Sequence, residues 1–245
     1  MPFTFSHPAI VLPLKYFPKK WFSFTGLIIG SMTPDFEYFI RMKVQSLYSH
    51  TIAGIFWFDL PLALILCFIF HNIVKDQLFD NLPRNIRSRF LDFKSFNWNK
   101  YVQQNWIIVI TSILIGTLSH LFWDSFTHDH GYFVNLIPWL KESVLIFDKK
   151  IPLLKLAQHF SSFIGGIVIL FSIFTLPKIY ILKKSKDKKY WICVLLFAAI
   201  VLSIRFALGL TIKEYGHVIV SVLSSFLFAL ILTPLFLKLS VIFRN

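Results

Sequence analysis

A series of small and polar side chains at four-residue spacing lies near the end of one apolar run. Its members are Ser112, Gly116, His120, Asp124 and His128. At about 3.6 residues per turn the series drifts by roughly 40° per step, so all five positions share one broad helix face. Small residues let a neighbouring helix approach closely, and imidazole and carboxylate groups bind divalent metal ions. The spacing predicts a metal site where this face meets another helix.

The length of the series limits what one ion can bind. On a continuous helix His120 and His128 would lie about 12 Å apart along the axis, which is too far for a single ion. Three arrangements remain open. A single ion is bound by one pair, His120 with Asp124 or Asp124 with His128; or Asp124 bridges two ions; or the helix ends before His128 and the chain folds back.

Two further segments supply the same types of ligand. Asp35 follows a proline in Gly-Ser-Met-Thr-Pro-Asp-Phe-Glu-Tyr-Phe at 30–39, and His50 stands in Ser-His-Thr at 49–51. Both cysteines, Cys67 and Cys193, lie inside apolar runs, so histidine and carboxylate ligands are expected instead. The predicted ligands of a divalent ion, with zinc as the first choice, are His7, Asp35, His50, His120, Asp124 and His128.

Other polar residues are predicted to act around this set. Glu37, two residues after Asp35, is the candidate for proton transfer, while Arg41 and His159 are candidates for binding substrate. Asp59 comes nine positions after His50, which would turn it to the opposite face of a continuous helix. We therefore expect Asp59 to pack between helices.

The composition indicates a membrane protein. Of the 245 residues 56% are hydrophobic, 29 are Phe, and the mean hydropathy is +0.66. The formal net charge of +13 comes from lysines and arginines in short segments between apolar runs, which favours contact with membrane lipid and argues against nucleic acid as a partner.

The apolar runs predict an all-α fold, a polytopic membrane helix bundle that forms a single domain over 1–245. Residues 1–51 are broken by prolines and are expected to form two short interfacial or re-entrant helices, the second running over 20–31 and ending at a turn at Pro34. About five transmembrane helices follow, at 51–70, 106–126, 163–182, 190–210 and 217–237.

The distribution of basic residues predicts the orientation. The positive-inside rule assigns the segments 73–103 and 183–189 to the cytoplasm, because they are the densest short basic segments between spans. The alternation of the spans then places the candidate ligands together near the opposite face of the membrane. We expect an integral protein whose site faces the non-cytoplasmic side.

Four segments of the chain resemble a bacterial family catalogued as domain of unknown function 4184. They are Met-Pro-Phe-Thr-Phe-Ser-His-Pro at 1–8, the segment 30–39, Phe-Asp-Leu-Pro at 58–61, and His-Leu-Phe-Trp-Asp-Ser-Phe-Thr-His at 120–128. More loosely, the Pro-Asp turn, the Ser-His pair and the His-x-x-x-Asp pattern resemble bacterial inner-membrane proteins known as membrane-bound metal-dependent hydrolases. That resemblance implies that Asp35, His50, His120 and Asp124 bind metal.

Two functions of different classes fit these patterns. The first is a metal-dependent hydrolase at the membrane interface, acting on a phospholipid or a prenyl-phosphate ester. The alternative is a non-enzymatic transporter or a metal-stabilised membrane scaffold, in which the prolines of the first 51 residues mark broken helices. A polar track through the last three spans would favour transport, and the sequence contains none.

Overall fold

The computed structural model describes residues 3–18, 20–179 and 187–242. Most of these residues are helical, and several of the longer helices extend beyond the apolar runs. In chain order the helices are α1 (Pro8–Val11), α2 (Phe24–Arg41), α3 (Ile52–Asn81), α4 (Arg84–Phe90), α5 (Trp98–Asp124), α6 (Tyr132–Leu136), α7 (Leu153–Phe174), α8 (Asp187–Ala207) and α9 (Tyr215–Ile242).

Shorter elements connect these helices. Single 3-10 turns occur at Thr4–Ser6, Leu12–Tyr16, Leu91–Ser95 and Pro138–Lys141. Strands β1 (Ser143–Ile146) and β2 (Lys149–Pro152) form an antiparallel hairpin with Ser143 opposite Pro152. Its two turn residues, Phe147 and Asp148, have φ of 47° and 61°, the backbone that a two-residue hairpin of this twist requires.

Five helices among the described residues are long and apolar enough to cross a membrane, which confirms the predicted fold class. They are Ile52–Asn81, Trp98–Asp124, Leu153–Phe174, Lys188–Ala207 and Tyr215–Leu239. The predicted third span, 163–182, was wrong by about ten residues. Lys155, Gln158 and His159 made its first turns look too polar for a span, but Gln158 is buried and Lys155 pairs with Asp129.

The prediction that a helix ends at Pro34 was also wrong, since α2 continues through this proline to Arg41. A proline inside a helix leaves the carbonyl of residue i−4 without its usual donor. Here that carbonyl belongs to Gly30, and it accepts a hydrogen bond of 3.3 Å from the Thr117 hydroxyl of α5. A neighbouring helix replaces the lost bond, so the helix is tolerated.

The contacts of the chain cluster into two compact units. In the first, which covers 1–35, 48–64 and 105–175, the N-terminal turns pack on α7, where Ser6 Oγ donates to the Ser162 carbonyl at 2.8 Å. The first part of α2 packs on α5 through glycines. A Cβ on Gly30 would overlap the Ile113 carbonyl, and one on Gly116 would overlap the Leu27 carbonyl. The prediction that Gly116 admits a close neighbour agrees with this contact.

The second unit covers 36–47, 65–104 and 176–245. Helices α8 and α9 pack around Tyr190, Val194 and Ala229. The predicted basic segment 73–103 is largely folded, and the Lys75 ammonium donates to the carbonyls of Lys94 and Phe96. Of the second basic segment, 183–189, residues 183–186 lie outside the described residues. The prediction of a single domain stays a prediction.

Candidate metal centre

Four of the six predicted ligands converge in the first unit. Asp35 comes from α2, His50 from the residues just before α3, and His120 and Asp124 from the last turns of α5. One ligand atom from each lies within 4.8 Å of those of the other three. Residues that are far apart in the chain therefore form a group that could hold a metal ion.

The spacing of these atoms fits a small ion. His120 Nε2 lies 3.3 Å from Asp124 Oδ2 and 3.6 Å from Asp35 Oδ1, while His50 Nε2 lies 3.5 Å from each of the same two oxygens. Ligands at about 2.0–2.2 Å in a tetrahedron stand about 3.3–3.6 Å apart. Four ligand atoms have six pairwise separations, and the four given above match this range. The other two, between the two histidines and between the two aspartates, lie within 4.8 Å.

Burial favours positive charge at this position. Asp35 is fully buried and Asp124 is 5% exposed. Two carboxylates removed from water are costly unless positive charge compensates them. Within the described ranges, the ion-pair partners of both carboxylates are histidines alone. A bound divalent ion would supply positive charge in place of protons on the histidines.

Three contacts orient the ligands. His120 Nδ1 donates to the Ser31 carbonyl at 2.7 Å, and a carbonyl can only accept, so Nε2 keeps the lone pair that faces the group. Thr4 Oγ1 donates to Asp35 Oδ2 at 2.6 Å and leaves Oδ1 towards the histidines. Ser49 Oγ lies 3.0 Å from His50 Nδ1 and holds the ring with Nε2 towards the two carboxylates, 3.5 Å from each.

The backbone around His50 also helps to orient this ligand. His50 lies just before α3 and not within it. Its φ of 60° places its backbone in the left-handed region. Thr51 then caps the helix, since its Oγ1 accepts from the Gly54 amide at 2.9 Å. The predicted helical angle between His50 and Asp59 therefore does not apply, and a π-turn at Ile55–Asp59 alters the spacing further. A strained non-glycine residue is typical of a functional site.

His7 and His128 flank the group without belonging to the four. The His7 ring stacks on His120 with centroids 3.7 Å apart, and its Nε2 lies 3.5 Å from Asp124 Oδ1. Helix α5 ends at Asp124, but the His128 amide still donates to the Asp124 carbonyl at 3.1 Å, and His128 Nδ1 lies 3.6 Å from Asp124 Oδ2. Of the three arrangements that the spacing left open, the geometry favours a single ion held by the pair His120 and Asp124.

The pKa values of His7 and His50, which lie outside the spans, shift in opposite directions. Burial lowers the pKa of His7 to about 3, so its ring is neutral at pH 7, the form that binds metal. Burial also opposes a charge on His50, but the carboxylates of Asp124 and Asp35 outweigh it and raise the pKa of His50 to about 9. Without a metal, these carboxylates hold a proton on His50.

A family model described as a domain of unknown function, DUF4184, matches residues 1–235. The chain belongs to the DUF4184 family. Neither the curated proteins nor the solved structures contain a significant match. Membership thus confirms the first resemblance seen in the sequence, and the resemblance to metal-dependent hydrolases stays a prediction.

The remaining site candidates of this DUF4184 protein lie elsewhere. Glu37, which is 2% exposed, accepts from Arg41 Nε at 2.8 Å, from the Leu47 amide at 2.9 Å and from Ser46 Oγ at 3.2 Å. These bonds fasten the turn after α2 and favour a structural role for Glu37 and Arg41. His159 is exposed on α7. The predicted roles of these three residues in chemistry stay predictions.

The groups that orient the ligands were not among the predicted site residues. Thr4 and Ser49 each stand near a predicted ligand in the sequence, and that proximity was the only available signal. Ser31 acts through its backbone carbonyl and Trp123 through its ring, which lies 5.4 Å from that of His7. Neither contact follows from residue type or spacing.

Replacing Thr4 by Val should weaken metal binding by about 10–100-fold, the usual effect of losing a group that orients a ligand. Thr4 is 3% exposed and of nearly the same shape as Val, so the change removes one hydrogen bond to Asp35 with little change in packing. Zinc titration of metal-stripped protein measures the effect. Thr4→Ser keeps the hydroxyl and should bind as the wild type does; equal affinities for Val and Ser variants would contradict the orienting role.

Proposed function

We propose that this DUF4184 protein is a zinc-dependent hydrolase that cleaves phosphate esters of membrane lipids. The observation that carries the proposal is the buried group of two imidazoles and two carboxylates, Asp35, His50, His120 and Asp124. Two nitrogen and two oxygen ligands with tetrahedral separations suit zinc better than magnesium or calcium, which prefer six or more oxygen ligands.

The chemistry of hydrolysis follows from this ligand set. A zinc ion bound here would need a fifth position for a water, whose pKa it would lower to about 7 while it polarised the phosphoryl oxygen. Hydrolysis forms a bond between the water oxygen and phosphorus and breaks the ester bond, and the proton lost by the water is finally carried by the leaving alcohol. The chain's own part is to fix the tautomer of His120 through the Ser31 carbonyl and to hold the His50 ring through Ser49. It also holds the negative charge of Asp35 and Asp124 in place.

The position of the group supports a lipid substrate. His120 and Asp124 stand in the last turns of α5, a candidate membrane span, and His50 stands directly before α3, another one. The ends of spans lie at the depth of lipid headgroups. A phospholipid or a prenyl phosphate presents its ester there, which makes membrane lipid both the partner and the source of substrate.

A phosphate-release assay tests the proposal. Purified protein in detergent would be given mixed phospholipids and prenyl phosphates, first metal-stripped and then with zinc restored. We expect release with zinc and none after stripping. If the protein carries zinc but hydrolyses neither phospholipids nor prenyl phosphates, the hydrolase proposal is contradicted. The metal-stabilised scaffold or the transporter would then be the remaining function.

The orientation of the site is tested by labelling single cysteines, in a chain whose Cys67 and Cys193 are replaced by Ala. Asn97 precedes α5 and Asn135 follows it, and both are exposed. Short basic segments of bacterial inner-membrane proteins stay on the cytoplasmic side, and Asn97 lies in one of them. We therefore expect Asn135→Cys to react with an impermeant maleimide from outside, and Asn97→Cys to react only after lysis. Labelling of both from the same side would contradict α5 as a membrane span.

A further inference from the structure

An apolar groove of about 290 Å³ lies in the first unit, between the N-terminal helix and α7. Ala9 and Ile10 of α1 form one side, and Phe160, Ile164 and Val168 of α7 form the other, while Trp123 of α5 also lines it. None of the residues that line the groove belongs to the four-residue ligand group.

The polar atoms on the groove wall are already paired. The indole Nε1 of Trp123 donates to Ser161 Oγ at 3.1 Å, so the aromatic ring of Trp123 presents only carbon to the groove. Ser161 Oγ in turn donates to the Gln158 carbonyl at 3.2 Å. The groove therefore suits a hydrocarbon and offers little to a polar ligand.

Trp123 connects the groove with the metal centre. It directly precedes Asp124 in α5, its ring lies 5.4 Å from that of His7, and the His7 ring stacks on His120 at 3.7 Å. On the other side, His7 directly precedes α1, which carries Ala9 and Ile10. One molecule could thus lie in the groove and reach the metal centre.

The groove is continuous with a surface that lipid must cover. Helix α7 is a candidate membrane span, and only 11% of its most apolar window is buried by protein. Phe160 is 67% exposed and Ile164 is 44% exposed. In a membrane, acyl or prenyl chains are the molecules that meet such a surface.

We propose that the groove binds one hydrocarbon chain of a membrane lipid and so places the headgroup of that lipid at the metal centre. The placement of the headgroup rests on the proposed function, whereas the binding of the chain does not. At about 30 Å³ for a group the size of water, the groove holds roughly ten methylene-sized groups. A chain of medium length or the inner part of a longer one fits this volume.

Photocrosslinking tests chain binding without any activity. The probe is a phosphatidylglycerol with a diazirine in one acyl chain, in vesicles that contain the purified protein. Ile164→Trp should fill the groove and lower crosslinking to the peptides of Ala9 and Phe160 by about tenfold. Ile167→Trp is the matched control, because Ile167 is 49% exposed on the same helix and does not line the groove.

Ile164→Ala is a second control at the same position, because it enlarges the groove and should leave crosslinking to those peptides unchanged. Thermal unfolding of each variant checks its fold. Equal crosslinking in the wild type and both tryptophan variants, spread along α7, would mean that ordinary bilayer lipid covers this face, and it would overturn the proposal.

Phosphate release separates this proposal from the proposed function. Ile164→Trp should release about tenfold less phosphate than the wild type from a long-chain lipid, yet as much from a short-chain ester of the same headgroup. Groove-specific crosslinking with no hydrolysis would contradict the hydrolase and support chain binding in the groove. Equal hydrolysis of both esters by Ile164→Trp and the wild type would support the hydrolase and contradict the groove's role in placing the substrate.

Discussion

Asp124→Asn should lose bound metal and phosphoester hydrolysis together. Asp124 Oδ2 lies within 3.6 Å of the imidazoles of His50, His120 and His128, and its Oδ1 lies 3.5 Å from His7. Asp124 therefore contacts four of the other candidate ligands. The amide keeps the shape but removes the charge that the cation needs, and amide oxygens bind zinc poorly. We expect metal content at background and hydrolysis lowered by at least about a thousandfold.

Asp59→Asn is the matched control. Asp59 is a fully buried carboxylate of the same unit, but it does not belong to the four-residue group. Its amide variant should keep its metal and stay within about tenfold of wild-type activity. If both variants lost activity while both kept their metal, Asp59 would belong to the mechanism and the transporter reading would gain support.

Gly116→Ala should both destabilise the protein and abolish metal binding. An added Cβ would overlap the Leu27 carbonyl and would lie 2.7 Å from the Ser31 amide nitrogen, and neither backbone atom can turn away as a side chain can. Helices α2 and α5 would have to separate, at a cost of about 1–3 kcal/mol or more. Because α2 carries Asp35 and α5 carries His120, their separation also breaks the ligand group.

Gly166→Ala provides the control for this substitution. A Cβ at Gly166 has no atom within 4 Å, so alanine there should stabilise α7 slightly, by up to about 1 kcal/mol. Thermal unfolding in detergent, followed by metal analysis of the folded fraction, compares the two. A Gly116→Ala protein as stable and as metal-rich as Gly166→Ala would refute the close helix contact.

Hydropathy was sufficient to predict the class and the number of spans, because every span must bury its backbone polar groups and face lipid. It misplaced α7, since the first turns of this helix carry polar side chains that pair with neighbours inside the first unit. It also misplaced the end of α2, because the partner of the Gly30 carbonyl is a Thr117 hydroxyl 87 residues away. Local patterns do not contain such long-range contacts.

The convergence of four candidate ligands could be predicted because topology brings their segments to one side. Their exact arrangement could not be predicted, since the turn that carries His128 and the left-handed backbone of His50 are not defined by the spacing. The orienting partners, Thr4 and the Ser31 carbonyl, depend on the packing of three distant segments.

Metal content after purification tests the central claim most directly. Elemental analysis would compare the wild type with His120→Ala/Asp124→Ala and with His71→Ala, whose ring stacks on Trp98 in the second unit, outside the ligand group. We expect bound divalent metal, zinc foremost, in the wild type and in His71→Ala, and background levels in the double variant. A wild type with no more metal than the double variant, and with no rise in thermal stability on adding zinc, would contradict the metal centre.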